Sequence, residues 1–104
     1  MRPIKIWIDD VRQPPNDSYV WIKSVNAAKR FFCDPHINLR YEIGVVDMDH
    51  DAGDYAAEGG DYIKLLDWFE ETGRNYPIRI HSMNPVGRDN MRRIIRHNNW
   101  KEVL

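Results

Sequence analysis

The chain has 104 residues, 42% hydrophobic and 30% charged, which suits one globular domain with a single core. A net charge of −1 points to no partner by bulk attraction, one cysteine excludes an internal disulfide, and no apolar run approaches the ~20 residues of a membrane helix. The start, Met1-Arg2-Pro3-Ile4-Lys5-Ile6, lacks the apolar stretch of a signal peptide, so a single cytoplasmic domain over 1–104, with no membrane association, is expected.

In chain order, Ile4-Lys5-Ile6-Trp7-Ile8 is β-branched and aromatic, reads as a buried strand, and runs straight into Asp9-Asp10. Paired prolines and Asn16-Asp17 make the next stretch a loop, and Tyr19-Val20-Trp21-Ile22 a short second strand. Ser24 can cap a helix over 25–33, with Ala28, Phe31 and Phe32 inward; Asp34-Pro35 ends it. Cys33, in Phe31-Phe32-Cys33, is expected as a buried structural thiol. Tyr41-Glu42-Ile43-Gly44-Val45-Val46-Asp47-Met48-Asp49 is the third strand, nearly all apolar as in a parallel strand covered on both faces. Gly53 and Gly59-Gly60 bracket an acidic loop. Asp61 would cap a helix carrying Tyr62, Ile63, Leu65, Leu66 and Phe69 at helical spacing, stopped by Gly73. Pro77-Ile78-Arg79-Ile80-His81-Ser82 is the fourth strand, and Asn84-Pro85 caps a helix with Met91, Ile94 and Ile95 as its apolar stripe. Trp100 to Leu104 offers one short edge strand.

This alternation predicts a doubly wound parallel α/β sheet of four or five strands, order 2-1-3-4(-5), with helices on both faces. Ligands of such sheets bind beyond the carboxyl ends of the strands, where Asp9, Asp10, Asp47, Asp49, His81 and Ser82 fall. With the first and third strands adjacent, their terminal carboxylates share one small space. Gathered carboxylates persist where a cation sits among them, and hard oxygen donors open to water suit Mg²⁺ or Mn²⁺. Asp9, Asp10 and one of Asp47 or Asp49 are the candidate ligands. Asp49-His50-Asp51 sets an imidazole between carboxylates, either a general acid or phosphate contact, or a local turn contact. His81 is a candidate acid or base, or a satisfied core histidine; Ser82 and Asn84, with the helix amides, suit phosphate oxygens. Arg88, Arg92 and Arg96 form one stripe, which steers a phosphate or, more commonly, is a solvated face. The middle of the chain is acidic, with Lys64 the lone cation from Asp47 to Glu71, and the end is basic; cation and anion sites, or plain surface asymmetry, both produce that pattern.

Three stretches, Ile8-Asp9-Asp10-Val11-Arg12, Met48-Asp49-His50-Asp51-Ala52-Gly53 and His81-Ser82-Met83-Asn84-Pro85-Val86-Gly87-Arg88-Asp89-Asn90-Met91, resemble the cyclic-phosphate-processing receiver-like family. The likeness spans nearly the whole chain and extends in plan to two-component receivers, hence a receiver/flavodoxin-like fold. It implies a metal-dependent phosphoesterase role on cyclic nucleotides or RNA ends. The matched positions are Asp9, Asp10, Asp49, His50, Asp51, His81, Ser82, Asn84 and Asn90. On this reading Asp9, Asp10 and Asp49 hold the metal, His50, His81 and Asp51 serve catalysis, and Ser82, Asn84, Arg88 and Asn90 bind substrate. Asp47 fits the ordinary receiver pattern and Asp49 the Asp-His-Asp of the cyclic-phosphate family. An ordinary receiver also places a lysine after a fifth strand; here Lys101 lies in a short tail, which argues against phosphoacceptor signalling. A non-catalytic module binding a nucleotide or protein is the rival from another class.

Overall fold

The computed structural model describes residues 1–104. Strands β1 (Arg2–Ile8), β2 (Tyr19–Ile22), β3 (Tyr41–Met48) and β4 (Ile78–Ile80) form one parallel sheet in the predicted order, β2-β1-β3-β4. Four α-helices accompany it: α1 (Val25–Phe32), α2 (Pro35–Arg40), α3 (Ile63–Glu71) and α4 (Pro85–His97). A 3₁₀ turn, Gly53–Ala57, lies in the acidic loop. No helix is long and apolar enough to cross a membrane.

One face of the sheet carries Ile6, Ile8, Ile22, Val46, Met48, Ile78 and Ile80, which join Val25, Phe32, Leu65, Leu66, Phe69, Met91 and Ile95 in one core. Each such burial contributes ~1.5–3 kcal/mol. The helices α1, α3 and α4 pack side by side over that face. Right-handed crossovers require it: the chain moves the same way across the sheet from β2 to β3 as from β3 to β4, and the opposite way from β1 to β2. Helices were expected on both faces, but the β1–β2 crossover is a loop, since Pro14-Pro15 cannot continue a helix. Trp7 is buried on that second face, outside the main core. Its indole N–H donates to the Arg12 carbonyl (2.8 Å), and that of Trp21 to the Asp9 carbonyl (2.9 Å), so two strands fasten the loop.

Three local expectations change. Asp34-Pro35 ends α1 but also starts α2: the Asp34 carboxylate accepts from the His36 N–H, and Pro35 fills a position needing no donor. Cys33 is exposed, because it lies one residue, or about 100° of helical turn, past the inward-facing Phe32. Asp61 does not cap α3; its Oδ1 accepts from the Ala52 N–H at 3.0 Å and ties the acidic loop. Ser24 and Asn84 cap as predicted, accepting from Ala27 and Gly87 N–H, both at 3.0 Å. The suggested fifth strand amounts to one parallel bridge, Ile78 with Glu102. There the Ile78 N–H donates to the Lys101 carbonyl (2.9 Å) and the Val103 N–H to that of Ile78 (2.8 Å).

Candidate functional site

Because β1 and β3 pair in parallel with Ile8 beside Met48, the residues leaving them emerge together. Asp9 and Asp10 follow β1; Asp49 follows β3 and donates its N–H to the Ile8 carbonyl at 2.9 Å. One carboxylate oxygen from each of Asp9, Asp10 and Asp49 lies within 4.8 Å of the others. Asp9 is buried, its Oδ1 accepting from the N–H groups of Val11 (3.0 Å) and Arg12 (2.8 Å) and its Oδ2 facing His81 Nε2 (2.8 Å). Burial pushes its carboxyl up, but the Arg12 amide, His81 and the Val11 amide together hold it below the usual value. Asp10 goes the other way: burial, then the charges of Asp9 and Asp49, push it up. Tyr62 donates its hydroxyl to the Lys23 carbonyl (2.7 Å), and burial followed by the charges of Asp10, Asp9 and Asp49 keeps it a neutral phenol. Gly53 closes the mouth at φ 54°, and a β-carbon there would collide with the Asp10 carboxylate.

Asp47 lies elsewhere. It is buried on the face that no helix covers, in register with Trp7 and Arg79. Its Oδ1 is 2.7 Å from His81 Nδ1, and its Oδ2 is 3.1 Å from Arg79 Nη1. His81 is thus clamped between Asp47 and Asp9 and stacked on Trp7, ring centroids 3.9 Å apart and planes 5° apart. Each ring nitrogen has a carboxylate partner. No nitrogen of His81 is left for a substrate.

His50 differs. Its Nδ1 lies 2.8 Å from Asp51 Oδ1, its backbone N–H donates to Asp49 Oδ1 (2.7 Å), and its Nε2 has no protein partner. The ring lies against α4, where a β-carbon on Gly87 would come within 2.5 Å of it. Asp61 approaches this pair, so His50, Asp51 and Asp61 form a second cluster of possible ligands. The Asn84 amide nitrogen points to Asp51 Oδ1 at 3.5 Å. Ser82 is buried, its Oγ accepting from the Asn84 N–H (3.1 Å), while Arg88 Nη1 donates to the Ser82 carbonyl (3.1 Å). Asn90 is half-buried, one helical turn beyond Gly87, with no side-chain hydrogen bond to the site. Of the arginine stripe, Arg92 pairs with Glu102 (2.7 Å) and Arg96 is exposed. Sequence reasoning missed Arg12 and Arg79; the available signal for Arg79 was two-residue alternation, which puts it on the same face as His81.

The family model described as the cyclic-phosphate processing receiver domain matches residues 4–97. No curated protein and no solved structure matches the chain.

Proposed function

The chain belongs to the cyclic-phosphate processing receiver domain family, and we propose from that premise that it is a divalent-metal-dependent phosphoesterase that opens cyclic phosphates. The observation that carries this is the convergence of the Asp9, Asp10 and Asp49 oxygens within 4.8 Å, next to a histidine whose Nε2 is unengaged. The donors fit Mg²⁺ or Mn²⁺: all are hard oxygens, one is held ionised, and one is strained by its neighbours' charge in a way a cation relieves. When bound, such an ion supplies Lewis acidity at a phosphoryl oxygen and lowers the pKa of water.

The chain's own residues then divide the work. His81 is a positioning residue: with Asp47 behind it, it fixes the Asp9 carboxylate. Asp51 holds the Nδ1 proton of His50, leaving Nε2 to move a proton. Hydrolysis forms a P–O bond to water and breaks one ring P–O bond, and the water's proton ends on the departing sugar oxygen. The Asn84 side-chain amide and the Val86 N–H, the amide at the start of α4 that no other group takes, serve the phosphate oxygens. Ser82 holds Asn84 in place. Cyclic nucleotides and RNA ends bearing a cyclic phosphate are the substrate classes.

The test is phosphorus NMR of both classes with Mn²⁺, with Mg²⁺ and after chelation. Metal-dependent appearance of a phosphomonoester, lost in Asp10→Asn and Asp49→Asn, is expected. Tight binding with no turnover of any substrate makes the protein a binding module instead.

A further inference from the structure

At the β4 edge of the sheet, a cavity of about 400 Å³ is lined by Arg12, Arg79, His81, Arg88, Arg92 and Glu102, with Ile80 and the tail. The arginines come from four places in the chain: the β1–β2 loop, β4, and two successive turns of α4. Their charges are incompletely answered. Arg92 is spent on Glu102, and Arg79 shares the buried Asp47 with His81. Arg88 donates only to a neutral carbonyl, and the Arg12 guanidinium makes no hydrogen bond or ion pair. Guanidinium groups brought round one space repel unless an anion joins them, and their planar forks match phosphate oxygens in pairs. His81 is the shared wall: one edge borders this cavity and its Nε2 touches Asp9 of the acidic mouth.

We propose that this cavity is a second phosphate-binding site, one imidazole away from the acidic mouth, so that the molecule processed carries a phosphate in addition to the cyclic one. The second clause rests on the phosphoesterase reading; the site itself does not.

The experiment separates the two. Metal-free protein is titrated with inorganic phosphate, and in parallel with acetate at equal ionic strength, following the Trp7 indole and arginine Nε–H signals by NMR. Phosphate should shift Trp7, whose indole bonds the Arg12 carbonyl, and acetate should not. Arg12→Gln, an exposed change, should weaken phosphate about tenfold, and adding Arg88→Gln about tenfold more. Asp10→Asn should leave phosphate binding intact. Equal response to acetate, unchanged affinity in the double variant, or shifts confined to the acidic mouth would overturn the site. In a second arm, a 2′,3′-cyclic nucleotide with a 5′-phosphate should bind about tenfold more tightly than one without, and the double variant should erase the difference. Equal affinities overturn the two-phosphate substrate. Phosphate bound in the cavity with no turnover of cyclic phosphates leaves this site standing and removes the phosphoesterase.

Discussion

His81 and His50 each face carboxylates, a few ångströms from the same acidic mouth, yet they are opposites. His81 is buried, with both nitrogens engaged and its ring stacked on Trp7. His50 has one nitrogen tied to the exposed Asp51 and one without a partner. The proposed function accordingly gives the same residue type a scaffold role in one place and proton transfer in the other. What decides is how many ring nitrogens the fold has already used.

The largest contrast should be in stability. Removing His81 leaves the carboxylates of Asp9 and Asp47 buried, with Arg79 reaching only one of them. His81→Ala should cost about 3–5 kcal/mol in urea unfolding, as expected when buried carboxylates lose a hydrogen-bonded partner. His50→Ala should cost about 1 kcal/mol, the ordinary effect of losing partly buried packing. Equal losses would break the comparison.

Next comes turnover. His50→Gln cannot move a proton near neutrality and should lower kcat on the cleaved cyclic phosphate by about 10²–10⁴-fold, with binding little changed. His81→Gln should act through stability and metal affinity instead. A proton-transfer defect in His81→Gln with wild-type metal affinity would reverse the assignment.

The smallest effect sharpens the contrast within one dipeptide. Asp10 is pushed above its ordinary 3.8. Below that pH the folded and unfolded forms are both protonated and nothing is lost. As pH rises through 3.8 the unfolded chain releases its proton first, so stability falls until the folded carboxyl also ionises, and stays lower. Asp10→Asn should therefore stabilise the metal-free protein at pH 7, and the gain should vanish below pH 3.8. Asp9, held low, contributes stability that is present above 3.8 and lost as pH falls through its depressed value. Urea midpoints of Asp9→Asn and Asp10→Asn at several pH values should move in opposite directions; parallel shifts would refute the inequality.

The strands, their order and the meeting of Asp9 and Asp10 with a third-strand aspartate were legible because each depends on local pattern plus one topological rule; the choice of Asp49 over Asp47 came from the family resemblance. Short β-branched and near-continuous apolar runs marked the strands, and neighbouring parallel strands bring their ends together. The clamp on His81 was not legible. It joins residues 72 and 34 positions apart, and no spacing along the chain encodes which carboxylate meets which nitrogen. The uncovered face was half legible: Pro14-Pro15 marked a loop between the first two strands, but a loop doing the work of a crossover helix was not inferred. Asp34-Pro35 misled because the same two residues serve a helix stop and a helix start. Asp61 looked like a cap by position, while the fold spends its carboxylate on Ala52.

The bridge between Ile78 and the tail has a consequence away from any ligand. A sheet rim with bare N–H and C=O groups is a template on which another molecule's strand can add. At the β4 rim the Ile78 N–H and carbonyl are both already taken, by Lys101 and Val103, and Arg92 grips Glu102 between them. The tail is thus a decoy strand, occupying the place a stranger would take. Trimming it would leave the acidic mouth untouched and open the sheet to self-adhesion.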